Sequence, residues 1–348
     1  MIKTFIKLGV SAFGGPAAHI AMLEEEAVEK HKWLSQKEFL ELNSLTNIIP
    51  GPNSSEMVLG VGYYVNGIKG LLSAGIAFMT PSILIVMIVS MFFKNLIHEP
   101  IIQVALDGMR PVLILMIFQV FIKFFKTAID NISKFILFIV LGILMVLGIS
   151  EIGIILLVGI MFAFHFFYKD KVMVLEPISL SMIFALFLKI GATLYGSGYV
   201  LLSYLETSFL KHMSQQDIVN AFLIGEITPG PVFTSATAIG VFLKGPLGGL
   251  VATLGIFIPS FILMIVLMPL KKKITKVKWI QYVLKGINIA SVVLIAKVLI
   301  TLGITSLTTL QAIILCLIVI ILKYKLKFNQ YILLAVSPVI NILLTYIM

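Results

Sequence analysis

The chain has 348 residues, 59% of them hydrophobic and 12% charged, and a formal net charge of +10. A soluble protein of this length needs far more polar residues to cover its surface, so the composition excludes a soluble domain and describes a polytopic membrane protein. One cysteine, Cys316, excludes an internal disulfide or a cysteine metal cluster. No basic segment is interleaved with aromatics, so the lysines mark the ends of apolar spans and not a nucleic-acid surface.

The opening "MIKTFIKLGVSAFGGP" lacks a small-residue cleavage site and is expected to belong to the working protein. In chain order, apolar spans are expected near 5–23, 70–93, 109–127, 133–150 and 152–168, then 181–205, 247–269, 283–303, 306–322 and 329–347. Two further segments, about 39–65 and 217–243, hold Pro50-Gly51-Pro52 and Pro229-Gly230-Pro231 between apolar pieces, each about half the length needed to cross.

These segments belong to a duplication. "FIKLGVSAFGG" from Phe5 matches "FLKIGATLYGS" from Phe187, pairing Lys7 with Lys189, Gly9 with Gly191 and Gly14 with Gly196. Further on, the two Pro-Gly-Pro triplets match, and Pro81-Ser82 matches Pro259-Ser260. Residues 1–172 and 173–348 are therefore expected to be two repeats of one transporter unit.

Lysine distribution decides how the repeats are inserted. With "KKKITKVK" (271–278) cytoplasmic, Pro-Gly-Pro segments that crossed would put Lys123, Lys126, Lys134, Lys169 and Lys171 outside, against the positive-inside tendency. Segments that re-enter move all of them inside. Each half then has an odd number of crossings, so the repeats are inverted. The expected fold is all-α: about ten transmembrane helices plus two re-entrant Pro-Gly-Pro hairpins.

Pro-Gly-Pro ends one short helix and lets another begin, because proline lacks an amide hydrogen and biases its predecessor away from helix. The second short helices should start near Asn53-Ser54-Ser55 and near Val232 to Ser235, with their first amides unpaired and their positive dipole ends favouring an anion. Pro50, Gly51, Pro52, Asn53, Ser54 and Ser55, with Thr228, Pro229, Gly230, Pro231, Thr234 and Ser235, are the candidate binding residues, their hydroxyls offering hydrogen bonds to an oxyanion. The plainer reading is that the prolines end helices and the hydroxyls cap them.

Lys297, about eleven positions into its span, is a further candidate ligand or a snorkelling lysine; Gln119 aligns with it in the first half. Lys7 and Lys189, near span starts, read as snorkelling. Glu56 and Glu226 flank the two breaks and could carry protons when neutral, or serve as a helix cap and a salt bridge. His19 titrates near neutrality and is a third coupling candidate. Arg110, the sole arginine, reads as an interfacial anchor. The histidines are scattered and no HExxH or GxxxxGK[ST] occurs, so no metal, no cofactor and no enzyme activity are expected.

"FGGPAAHIAMLEEEAVEKHKWLSQKEFLELNSLTNIIPGPNSSEM" with "GLLSAGIAFMTPS" resembles the signature of the chromate ion transporter family, and "GATLYGSGYVLL", "TPGPVFTSATAIG" and "GIFIPSF" resemble its second half. The chain is similar to a two-domain, long-chain member, and the resemblance implies efflux of chromate, sulfate as a related oxyanion, and proton coupling. The family's motif residues map onto Phe13, Gly14, Gly15, Pro16, His19, Trp33, Pro50, Gly51, Pro52 and Asn53, then Gly196, Gly198, Tyr199, Thr228, Pro229, Gly230, Pro231 and Thr237. One departure is visible: Glu226 stands where the family usually has Gln.

The expected function is a secondary transporter that exports a chromate- or sulfate-like oxyanion by alternating access, coupled to protons. An oxyanion channel, an uptake transporter and, remotely, a membrane-embedded enzyme are the alternatives. The expected setting is the plasma membrane bilayer, and a homodimer is an assembly the sequence leaves open.

Overall fold

The computed structural model describes residues 1–11, 15–47, 49–96, 99–147, 178–195, 198–274 and 278–347. The span expected at 152–168 and the motif residues Phe13, Gly14 and Gly196 lie outside them. Among the described residues every regular element is helical. The chain runs α1 (Ile2–Ser11), α2 (Gly15–Glu24), a π-helical turn (Glu25–Lys30), α3 (Gln36–Thr46), α4 (Asn53–Leu96), α5 (Pro100–Ala128) and α6 (Ile132–Val146). It continues through α7 (Leu180–Thr193), α8 (Val200–Phe209), α9 (Gln215–Ile227), a 3-10 turn (Val232–Thr234), α10 (Ser235–Ile274), α11 (Lys278–Ser306), α12 (Leu310–Tyr324) and α13 (Gln330–Ile347).

Among the described residues five helical stretches are long and apolar enough to cross a membrane: Asn53–Lys94, Pro100–Ala128, Val232–Lys271, Ile287–Ser306 and Gln330–Ile347. Ile132–Val146, Leu180–Thr193 and Leu310–Tyr324 are shorter apolar helices. The protein is thus an all-helical polytopic membrane protein, as its composition requires.

One of the expected spans is not continuous: 181–205 is divided between α7 and α8, and Leu194 leaves α7 with extended dihedrals, φ −77 and ψ 113. The stretch 5–23 holds α1 and α2, with residues 12–14 outside the described residues.

The long helices α4 and α10 fold back on themselves. Asn66 and Gly67 have φ/ψ of −152/39 and 54/−144, and Lys244 and Gly245 repeat this at −137/24 and 64/−159. Beyond each turn the chain returns antiparallel to itself. A methyl group added at Gly62 would strike the Gly70 carbonyl and one at Gly70 the Gly62 carbonyl; Gly240 and Gly248 are related in the same way. Thr237 and Thr253 share a hydrogen bond of 2.7 Å across the second hairpin. The piece from Asn53 to Asn66 covers about 20 Å, short of the roughly 30 Å hydrocarbon core.

The helices that lead into the breaks also start alike. Ser35 caps α3, its hydroxyl accepting from the Glu38 amide while Glu38 reaches back to the Ser35 amide. Ser214 caps α9 through the Asp217 amide. One residue on, Gln36 donates to Glu24 Oε1 at 2.6 Å and Gln215 donates to Glu206 Oε1 at 3.0 Å, tying each helix start to α2 or α8.

Packing divides the chain into two compact units, Met1–Met91 with Val158–Gly286 and Phe92–Leu157 with Ile287–Met348. Each unit draws on both sequence halves, so packing units and repeats are different divisions of this chain. In the first, α7 lies along α10 and α9 against α10. In the second, α13 lies along α5 and α12 packs on both.

Lipid tails are as apolar as leucine, so helix association in a bilayer depends on close backbone approach and not on burying oil. Small residues sit at these contacts. A methyl at Gly9 would collide with the Phe78 carbonyl, and one at Gly191 with the Ile256 carbonyl. Gly108 admits Pro338 and Asn341 of α13, where Asn341 Nδ2 donates to the Val104 carbonyl at 2.7 Å and Gln311 Nε2 donates to Asn341 Oδ1 at 2.9 Å.

Candidate functional site

Both Pro-Gly-Pro triplets lie in the first unit, and both do what their composition predicts. α3 ends at Thr46 and a new helix opens at Asn53; α9 ends at Ile227 and helix resumes at Val232. Gly51 has φ +134 and Gly230 φ +110, a region that excludes an ordinary side chain, so glycine lets the backbone reverse between two prolines. The Gly51 amide donates to the Leu194 carbonyl at 2.9 Å. The break in the 181–205 span thereby supplies an acceptor to the first Pro-Gly-Pro.

The two breaks are cross-packed between the sequence halves. A methyl at Gly51 would fall on Ser260 Oγ, and a methyl at Gly230 would fall on Ser82 Oγ. Each glycine of one half thus abuts the serine of the Pro-Ser pair in the other. Pro81 and Pro259 lie inside α4 and α10, and both serines are fully buried.

The carboxyls sit beside these contacts. Glu56, 0% exposed, accepts from Ser260 Oγ through Oε1 at 3.1 Å, and the same Oε1 lies where a Gly51 side chain would be. Among the described residues its buried Oε2 meets no hydrogen-bond partner, and neither does the buried Ser55 Oγ. Glu226, 8% exposed, takes the Tyr199 hydroxyl on Oε2 at 3.5 Å, while its Oε1 has no partner among the described residues.

The expected hydroxyl donors are mostly spent locally. Thr234 donates to the Pro231 carbonyl at 2.8 Å, Ser235 to the Val232 carbonyl at 2.7 Å and Thr228 to the Ile224 carbonyl at 2.9 Å. Asn53 donates to Asn47 Oδ1 at 2.7 Å. Ser54 is buried at the same helix start. Free donors at the breaks are therefore first-turn amides more than side chains. At the first break the amides of Ser55 and Glu56 bond the Pro52 carbonyl.

Other candidates lie apart from this cluster. Lys297 belongs to the second unit, where it lines an apolar groove of about 580 Å³ with Phe138, Gly142, Ile143, Val293 and Thr301. His19 is buried, its ring edge-on to Phe78 at 6.1 Å. Lys7 is 68% exposed and pairs with Glu26 at 3.3 Å, while Lys189 is exposed. Arg110 lies ten residues into α5, which begins at Pro100, and pairs with Asp107 at 2.9 Å. Ser82 and Ser260, prominent in the geometry, were visible in the sequence only as repeat markers, and a hydroxyl beside an intrahelical proline was the signal available.

Non-helical backbone at membrane depth is tolerated only where protein or a wet cavity satisfies it. Paired helix breaks with buried carboxyls and hydroxyls, inside an all-helical membrane protein, define the transporter class. The chain belongs to the chromate transporter family, whose model matches residues 1–164 and 181–342. This is a family of transporters and not of enzymes. The chain is 24% identical to an uncharacterised transporter of Methanocaldococcus jannaschii, over 99% of this chain and 94% of that one. A chromate transport protein of Cupriavidus metallidurans is 25% identical over 94% of this chain and 88% of its own. An uncharacterised transporter of Bacillus subtilis, 28% identical, covers 49% of this chain with 89% of its own length. No solved structure matches the chain.

Proposed function

We propose that the protein is a secondary transporter of a tetrahedral oxyanion of the chromate type, which it exports across the plasma membrane by alternating access with proton coupling. The observation that carries the reading is the cross-packing of Gly51 on Ser260 and Gly230 on Ser82. It gathers two helix N-termini, two buried hydroxyls and a buried carboxyl around broken backbone. Helix N-termini favour anions, and hydroxyls add hydrogen bonds that suit an oxygen-rich ion. Glu56, Glu226 and His19 are the groups available to carry a proton.

In this reading the halves 1–172 and 173–348 are inverted repeats with about ten spans, and the Pro-Gly-Pro segments re-enter. Support comes from the matched fold-backs at Gly67 and Gly245, the matched contacts at Gly9 and Gly191, and the half-length Bacillus relative. Lys297 stays a candidate ligand within its own groove.

The test is flux of chromate and of sulfate into proteoliposomes, with and without an imposed pH gradient. Uptake accelerated by the gradient is expected for chromate; flux indifferent to every driving ion would make the protein a channel. Single cysteines placed in 123–134 and in 301–309, on a Cys316→Ser background, should label from opposite faces. Labelling of both from one face would refute inversion.

A further inference from the structure

The matched breaks are not chemically equal. At the first, Ser260 Oγ gives its proton to Glu56 Oε1 at 3.1 Å, and that carboxyl fills the space over Gly51. At the second, the position equivalent to Glu56 is Ser235, whose hydroxyl is turned back on the Val232 carbonyl at 2.7 Å. Ser82 Oγ lies over Gly230 there and donates to the Gly9 carbonyl at 3.3 Å. One cradle is occupied by its own acid; the other presents a hydroxyl and no acid over its glycine.

We infer that the two breaks divide the work: the Gly230–Ser82 break receives the oxyanion, and the Gly51–Ser260 break, filled by Glu56, holds the coupling proton. The inference rests on the proposal that the breaks are the transport site.

Electrostatics and hydrogen-bond capacity both favour this division. An oxyanion at the first break would meet an ionised Glu56 as a like charge, or a neutral one that already holds the Ser260 donor. Glu56 Oε2, buried and without a partner, is the atom on which a proton can reside, and among the described residues no ion pair includes Glu56. Tyr195, on the chain leaving α7, is a titratable group coupled to it, and α10 gives it the Ser260 hydroxyl. A carboxyl so placed takes a proton from water on one face of the membrane and returns it to water on the other. At the second break, Ser82 can exchange its long bond to Gly9 for a shorter one to an anion. Glu226 stands on the carbonyl side of that break, at the end of α9, with Tyr199 on one oxygen.

The experiment compares Ser82→Ala, Ser260→Ala, Glu56→Gln and Glu226→Gln in proteoliposomes, reading the KM for chromate, its pH profile and anion–anion exchange. Monodispersity in detergent checks that each variant is folded, and Ser82→Thr and Ser260→Thr should rescue their alanine variants. Ser82→Ala should raise the KM about tenfold or more, the effect of losing one hydrogen bond to a charged ligand, and keep the pH profile. Ser260→Ala should shift the pH profile with the KM held at its optimum. Glu56→Gln should keep exchange and lose gradient-driven transport. Equal KM effects of the two serine variants, or pH dependence lost in Glu226→Gln and kept in Glu56→Gln, would overturn the division. Flux unchanged in all four variants would instead refute the breaks as the transport site.

Discussion

Gly51→Ala tests the first break most directly. The residue sits at φ +134, where an L side chain costs about 1–3 kcal/mol. Its new methyl would also land on Glu56 Oε1 and Ser260 Oγ, and forcing apart closely packed groups costs about a further 1–3 kcal/mol. Separating Ser260 from Glu56 removes one hydrogen bond, worth about 1 kcal/mol. The sum, about 3–7 kcal/mol, is large against the stability of most folded proteins. Gly67→Ala is the control, since Gly67 also has positive φ, +54, but has nothing within 4 Å of where its methyl would stand. It should lose only the backbone contribution, about 1–3 kcal/mol. Heating each variant in detergent and measuring the monodisperse fraction by size-exclusion chromatography ranks them, and chromate flux gives the functional loss. A Gly51→Ala protein as heat-resistant and active as Gly67→Ala would refute the packing of Glu56 and Ser260 over that glycine.

Glu38, at the polar start of α3, is held below the usual carboxylate range first by the Ser35 amide and then by the Ser35 hydroxyl. A depressed folded value means that its contribution is complete above the ordinary Glu value of about 4.3 and is lost as pH falls through the folded one. Heat resistance should therefore fall on acidification below about pH 4 less steeply in Glu38→Gln, which accepts the same bonds without titrating. In the second unit, Asn341→Ala removes the bonds to Val104 and from Gln311, about 2–3 kcal/mol together. A matching fall in the thermal midpoint is expected, and an unchanged midpoint would remove that cluster from the account of α5–α13 packing.

Much of the fold was legible because its signals are local. Proline and glycine acts on the backbone wherever it stands, so the restarts at Asn53 and Val232 follow from Pro-Gly-Pro alone. The extent of α13 follows from its apolar run, whereas α5 starts nine residues before the run expected at 109–127. The break in 181–205 was not foreseen, because glycine is common in membrane helices and a span rich in it still reads as continuous.

The candidate site was legible only as a set of residue types. Pattern and spacing located Glu56, Glu226 and the triplets, since each lies next to a break in sequence. They could not reveal that Ser260 would meet Glu56 across 204 residues of chain, or Ser82 would meet Gly230, because that pairing depends on how α4 and α10 fold back. Local steric rules and composition made this chain helical, membrane-embedded, duplicated and broken at fixed points. The tertiary structure alone decided which hydroxyl faces which glycine and which carboxyl oxygen is left without a partner, for in a bilayer those choices rest on backbone contacts between helices distant in sequence.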